Sequence, residues 1–144
     1  MRVLGLLLLL ASVYVCKPMA EEVENRLFPF SSDGCSWFPE GPVWAQSLWH
    51  HCCTAHDLAY WQGGDYIARM IADEQLSKCV TEQGEPVVAA AMLVGVRMGG
   101  SPFWPTQFRW GYGWQHSRGY APLTVDEVKL IERQLRSQNL LPSI

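Results

Sequence analysis

The sequence predicts a mainly α-helical domain, stapled by disulfides and organised around an antiparallel helix pair with additional helices. Three observations carry that expectation. Apolar residues recur at three- and four-residue spacing between capping and stop signals. Four cysteines, Cys35, Cys52, Cys53 and Cys79, follow an apolar leader. No repeat, low-complexity tract or convincing pair of strands interrupts the helical pattern. At 144 residues the chain makes one domain, with a modest core that staples would help.

The first twenty residues differ in kind from the rest. Arg2 precedes an apolar run from Val3 to Val15, followed by Cys16-Lys17-Pro18-Met19-Ala20. A charged start, a short apolar core and small residues after it are the plan of a signal peptide, with cleavage expected after Ala20. The run is too short for a comfortable membrane span. A lipid anchor on Cys16 is the lesser alternative, because Val13-Tyr14-Val15 is a poor lead-in. Retention of the leader as an uncleaved anchor is the other. Export is therefore expected, to the periplasm or the exterior, with residues 21–144 as a single domain.

That mature chain carries nine basic and fourteen acidic residues, a net charge of −5. With no basic cluster, nucleic acid is a poor partner. Strong electrostatic attraction to anionic membranes is not expected either. In an exported chain, four cysteines read as two disulfides. Adjacent Cys52 and Cys53 do not readily bond each other, so each takes one of the other two. Two connectivities satisfy that condition.

The elements follow in order. Glu21 to Phe30 is a lead-in, and Ser31 to Ser36 is rich in turn residues. A first helix is expected from about Val43 to Trp61, stopped by Gly63-Gly64. Asp65 then caps a second, running to about Val80. Ile67, Met70, Ile71 and Leu76 form its expected apolar face, with Arg69, Glu74 and Lys78 largely outside. A turn this short makes the two helices antiparallel neighbours. A third helix, Pro86 to about Met98, opens with proline at a tolerated position and is apolar all round, so burial is expected. Thr124-Val125-Asp126-Glu127 reads as a capping box for a last amphipathic helix to about Gln138. Between them lies Phe103-Trp104-Pro105-Thr106-Gln107-Phe108-Arg109-Trp110-Gly111-Tyr112-Gly113-Trp114, expected to cover the third helix as core. A membrane-interface surface is its alternative reading.

The chemistry concentrates in Cys52-Cys53-Thr54-Ala55-His56-Asp57-Leu58-Ala59-Tyr60. On a helix Cys52, Cys53, His56 and Tyr60 share one surface, and Asp57 lies about 100° round from His56. An imidazole beside an oxygen ligand suggests a base and a metal acting together. Zinc on Cys52, Cys53 and His56 is the competing reading, weakened because a disulfide withholds its sulfurs from metal. Asp73, amid apolar residues of the second helix, is costly to bury without a partner. An antiparallel pair can bring it to His56, where it would fix the imidazole tautomer. Its plain alternative is an exposed residue paired with Arg69 at i−4. Asp33 and Asp57 offer the hard oxygens that calcium prefers. His50, His51 and His116 read as solvated or packing residues. No serine sits in a Gly-x-Ser-x-Gly turn, so a serine nucleophile is not expected.

Asp33-Gly34-Cys35, then Cys52-Cys53-x-x-His56-Asp57-x-x-Tyr60, then Asp73 with Cys79 six residues on, resembles secreted phospholipase A2. The match spans residues 31–79 and lies nearer the compact bacterial and fungal branch than the animal enzymes, where a cysteine stands at the position of Ala59. Residues 84–144 lie outside it. The resemblance implies a phospholipase A2-like fold and calcium-dependent hydrolysis of the sn-2 ester of phospholipids at a membrane or micelle surface. It implies His56 as the base that activates water, with Asp73 holding His56 and Tyr60 bonded to Asp73. It implies calcium held by Asp33, Asp57 and the carbonyl of Gly34. It also selects Cys35–Cys53 and Cys52–Cys79 from the two connectivities. The competing expectation is a catalytically inactive phospholipase A2-like binding or interaction module.

Overall fold

The computed structural model describes residues 25–141. The leader expected over residues 1–20 lies outside the described residues. Four helices appear among the described residues: α1 (His50–Gln62), α2 (Tyr66–Glu82), α3 (Pro86–Gly99) and α4 (Val125–Ser137). No strand forms among them, and one isolated antiparallel bridge joins Leu27 to Trp114. The mainly helical expectation holds.

α1 begins at His50, seven residues after the expected start at Val43. Tight turns occupy the interval, closed by Ala45 N–H to Pro42 O at 2.9 Å and Leu48 N–H to Ala45 O at 3.0 Å. Trp49 fixes them from inside. Its backbone N–H donates to Glu40 O at 3.0 Å and its indole N–H to Pro39 O at 2.6 Å. Those long-range bonds outcompete local helix propensity.

The helix stops where expected, at Gly63, whose φ of +71° is left-handed. A Cβ there would also sit 3.0 Å from Gly111 Cα. Asp65 caps α2 by accepting from Ala68 N–H at 2.8 Å. The pair is antiparallel: Cys52 bonds Cys79, His56 meets Asp73, and Tyr60 meets Arg69.

The faces of α2 and α3 differ from expectation. The side of α2 that turns inward is Arg69, Ala72, Asp73, Leu76 and Val80, while Ile67 is 61% and Ile71 51% exposed. Helical spacing is kept, but the buried stripe contains two charges, each admitted because it finds partners. α3 buries only Ala89 and Met92. Val87 and Met98 are 81% and 73% exposed, so apolar composition did not translate into all-round burial.

The aromatic segment touches α3, where the Trp104 indole N–H donates to Met98 O at 3.2 Å, but its buried rings pack elsewhere. Trp110 packs with Tyr60 and Ala72, and Trp114 with Trp61, Ile131 and Leu135, while Phe103 and Trp104 are exposed. Carbonyls at the end of a helix lack intrahelical partners, and this segment supplies them for α1. Gly111 N–H donates to Tyr60 O at 2.7 Å and Gly113 N–H to Trp61 O at 3.1 Å. The indoles of Trp114 and Trp110 reach Gln62 O and Gly64 O, both at 2.8 Å. α4 opens with the expected capping box on Thr124 and Glu127, and buries Ile131 and Leu135 against Trp61 and Trp114.

Both disulfides form, Cys35–Cys53 and Cys52–Cys79. One ties the turn-rich loop to α1, and the other ties α1 to α2.

Candidate active site

α1 and α2 deliver the central constellation. His56 is almost fully buried, and its Nε2 lies 3.0 Å from Asp73 Oδ1. Tyr60, one turn further along α1, donates its hydroxyl to the same oxygen at 2.7 Å. The rings of His56 and Tyr60 stand 4.2 Å apart. Burial first, and the Asp73 carboxylate second, push the Tyr60 phenol up, so it stays a donor. Asp73 itself is wholly buried. The expectation that Asp73 reaches His56 across the pair agrees with this geometry. The alternative of an exposed Asp73 paired only with Arg69 does not.

Two arginines complete the surroundings of Asp73. Arg97 Nε, from α3, lies 2.9 Å from Oδ2, and Arg69 Nε lies 3.9 Å from it. Arg69 at i−4 was visible in the sequence, although on the wrong face. Arg97 carries no sequence signal, because only the packing of α3 on α2 brings it there.

A cavity of about 330 Å³ opens beside His56. His56, Asp57 and Tyr60 supply its polar wall, and Leu76, Met92, Val96 and Phe108 supply apolar walls. Gly100 keeps that region close-packed, since a Cβ there would lie 2.3 Å from the Tyr60 hydroxyl. Trp37 and Phe108, 6.1 Å apart edge to face, also line the cavity. The sequence places Phe108 in the aromatic segment and marks Trp37 not at all; loop aromatics carry no spacing that reveals which way they face.

A second cavity, about 340 Å³, is lined by Ser31, Ser32, Asp33, Asp57, Gln107 and Tyr112, with Phe108. Asp57 and Phe108 line both cavities, so the two adjoin. Ser32 donates to Asp57 Oδ2 at 2.6 Å, Ser36 to Asp33 Oδ1 at 2.9 Å, and Tyr112 to Ser31 O at 2.6 Å. Burial pushes the Asp57 carboxyl up to about 6; Asp33 adds to the rise, while Ser32 and His56 oppose it. Two carboxylates among hydroxyl and amide oxygens form a hard donor set, and a cation between them would relieve their repulsion. Gly34 does not line this cavity. It is buried with φ +76°, backed by Glu40 and His50, which pair at 3.0 Å.

The zinc reading fails on its ligands. Cys52 and Cys53 are in separate disulfides, and His56 Nε2 is engaged by Asp73. His51 lies 3.5 Å from Cys52 Sγ and 3.6 Å from Cys79 Sγ, but those sulfurs are bonded to each other. His116 is exposed, in keeping with a solvated role, and His50, also exposed, pairs with Glu40.

No protein-family model matches the chain, and comparison with curated proteins and with solved structures returns no match.

Proposed function

We propose that this chain is a phospholipase A2-like hydrolase, cleaving the sn-2 ester of phospholipids with calcium and base-activated water. One observation carries the reading: a buried imidazole, oriented by a buried carboxylate, borders an apolar cavity that adjoins a second cavity holding two carboxylates. The motif resemblance implies such a base beside such a calcium site, and the apolar cavity is where an acyl chain would lie.

With His56 Nε2 held by Asp73, Nδ1 is the nitrogen left to take a proton from water. Asp73 fixes the tautomer and stabilises the imidazolium once the proton arrives. Tyr60 keeps Oδ1 of Asp73 in place. The apolar wall of Leu76, Met92, Val96 and Phe108 takes the acyl chain and excludes water around the ester. Asp33 and Asp57 would hold calcium; the Gly34 carbonyl that the resemblance adds to the set does not line their cavity. Bound there, calcium supplies Lewis-acid polarisation of the ester carbonyl and charge stabilisation of its oxyanion.

The membrane as partner is supported by the exposed face of α3. Val94 and Met98, 59% and 73% exposed, flank the positions Ala91 and Gly95 that line the cavity. Apolar residues exposed beside a substrate opening fit contact with lipid. Among the described residues no helix is long and apolar enough to cross a membrane. Two disulfides fit an oxidising compartment, and export is proposed on that ground.

The alternative is an inactive module of the same architecture, favoured by the position of Gly34 away from the acidic cavity. Fatty-acid release from phospholipid vesicles decides between them, measured with calcium and with excess chelator. The hydrolase reading expects calcium-dependent release from the sn-2 position, abolished in His56→Gln. Folded, fully disulfide-bonded protein that releases nothing sinks it.

A further inference from the structure

We propose that Arg97 is a positioning residue: together with Arg69 it ties the wall of the apolar cavity to the carboxylate that holds His56. The kinetic side of this rests on the hydrolase reading above; the geometric side stands without it.

Asp73 is wholly buried and its two oxygens are treated differently. Oδ1 takes His56 Nε2 at 3.0 Å and the Tyr60 hydroxyl at 2.7 Å. Oδ2 has no aligned hydrogen bond among the described residues. Its compensation is charge: Arg97 Nε at 2.9 Å, off the N–H axis, and Arg69 Nε at 3.9 Å. A buried carboxylate oxygen with neither water nor countercharge is costly, so these guanidiniums are what make the site tolerable. They also decide its geometry. The terminal torsion of aspartate is broad, and a cation on Oδ2 keeps Oδ1 turned to His56 and Tyr60.

Arg97 does more than meet Asp73. Its Nη2 donates to Met70 O at 3.1 Å and to Glu74 at 3.4 Å, gripping α2 from α3. Arg69 grips back, donating to Val96 O and Arg97 O, each at 2.9 Å, and to the hydroxyls of Tyr60 at 3.1 Å and Tyr120 at 2.6 Å. The end of α3 so clamped carries Gly95, Val96 and Gly99 on the cavity wall. Displacing that wall and releasing Asp73 are therefore one event.

The test compares Arg97→Gln and Arg97→Lys with the unaltered protein. The first readout is the ring ¹⁵N spectrum of neutral His56, which reports the tautomer and needs no activity. The unaltered protein and Arg97→Lys should show the Nε2–H form, and Arg97→Gln a mixture. The second readout is kinetic, on phosphatidylcholine dispersed in detergent micelles. Arg97→Gln should lose roughly tenfold to a hundredfold in kcat, as displaced reacting groups do, and KM should rise. Arg97→Lys should recover kcat by restoring charge at Oδ2. Its KM should stay raised, because one ammonium at Oδ2 does not also keep the bond to Met70 O. A folded Arg97→Gln with the Nε2–H tautomer and unchanged KM overturns the proposal. Should Arg97→Gln not fold, an unchanged KM in Arg97→Lys overturns it as well. If the unaltered protein hydrolyses nothing, the hydrolase reading falls and the tautomer spectra alone judge the clamp.

Discussion

Asp73 reaches His56 from seventeen residues away in sequence and meets it at 3.0 Å inside the helix pair. Only two antiparallel helices in close register bring these side chains together, and the Cys52–Cys79 disulfide holds that register one turn further along. The neutral amide in Asp73→Asn keeps the size but removes the charge that favours the imidazolium. The proposed hydrolysis should fall by roughly two to four orders of magnitude, the range spanned by loss of oriented acid–base catalysis. Circular dichroism must accompany the rate, because Arg69 and Arg97 lose their countercharge too. Wild-type rates from folded Asp73→Asn would remove Asp73 from the mechanism.

The acidic cavity makes a prediction in pH. Asp57 has its carboxyl pushed up to about 6 by burial, with Asp33 adding repulsion. An unfolded chain releases that proton near the ordinary carboxylate value, while the folded chain keeps it. Calcium-free protein should therefore lose stability as pH rises from about 4 to about 6, with no further loss from this group above that. Calcium held there as proposed would need the ionised carboxylate, so its stabilising effect should be full above pH 6 and fade as pH falls through 6. Melting temperatures with calcium and with chelator, at about pH 5 and about pH 7.5, check this directly. An equal calcium shift at both values, or one that survives Asp57→Asn, would place the ion elsewhere.

Local signals were legible wherever the local chain decides the structure. Gly63-Gly64, the Asp65 cap, Pro86 and the Thr124–Glu127 box all mark real helix ends. Asp73 reaches His56 as an antiparallel pair allows, Tyr60 joins Asp73 as the resemblance implies, and Asp33 and Asp57 share a cavity. Periodicity misled where burial was earned by partners rather than by apolarity. Arg69 turns inward because Tyr60, Tyr120 and two carbonyls receive it, and Ile67 and Ile71 are left outside. The start of α1 is not legible locally, because the bonds from Trp49 to Glu40 and Pro39 that set it are tertiary. Likewise Trp110 and Trp114 serve the end of α1, a use that composition does not announce.

The two staples should fail differently. The Cys52–Cys79 bond closes 27 residues and the Cys35–Cys53 bond 18. Loop-closure entropy assigns each about 3–4 kcal/mol, slightly more for the longer loop. Replacing Cys52 and Cys79 by alanine should lower global stability by that amount in denaturant titration. Replacing Cys35 and Cys53 costs a similar amount and also frees the loop that carries Asp33. Calcium response should be lost there while the helices persist. Retention of the full calcium-induced shift without Cys35–Cys53 would show that the loop needs no tether.

The proposed lipid contact through α3 can be separated from the proposed chemistry. Val94 and Met98 are exposed and line neither cavity, so changing them leaves the walls around His56 untouched. Burying one such side chain in lipid is worth about 1.5–3 kcal/mol, and every 1.4 kcal/mol is roughly tenfold in affinity. Val94→Asp with Met98→Asp should therefore weaken binding to zwitterionic vesicles by roughly a hundredfold or more, because the charges also resist insertion. Hydrolysis of a short-chain phospholipid below its micelle concentration should be unchanged, since that substrate reaches the cavity from water. Vesicle sedimentation and monomer kinetics on the same preparation give both numbers. If vesicle binding is undiminished, the membrane meets another face; if monomer hydrolysis falls as well, α3 shapes the cavity through residues beyond those that line it.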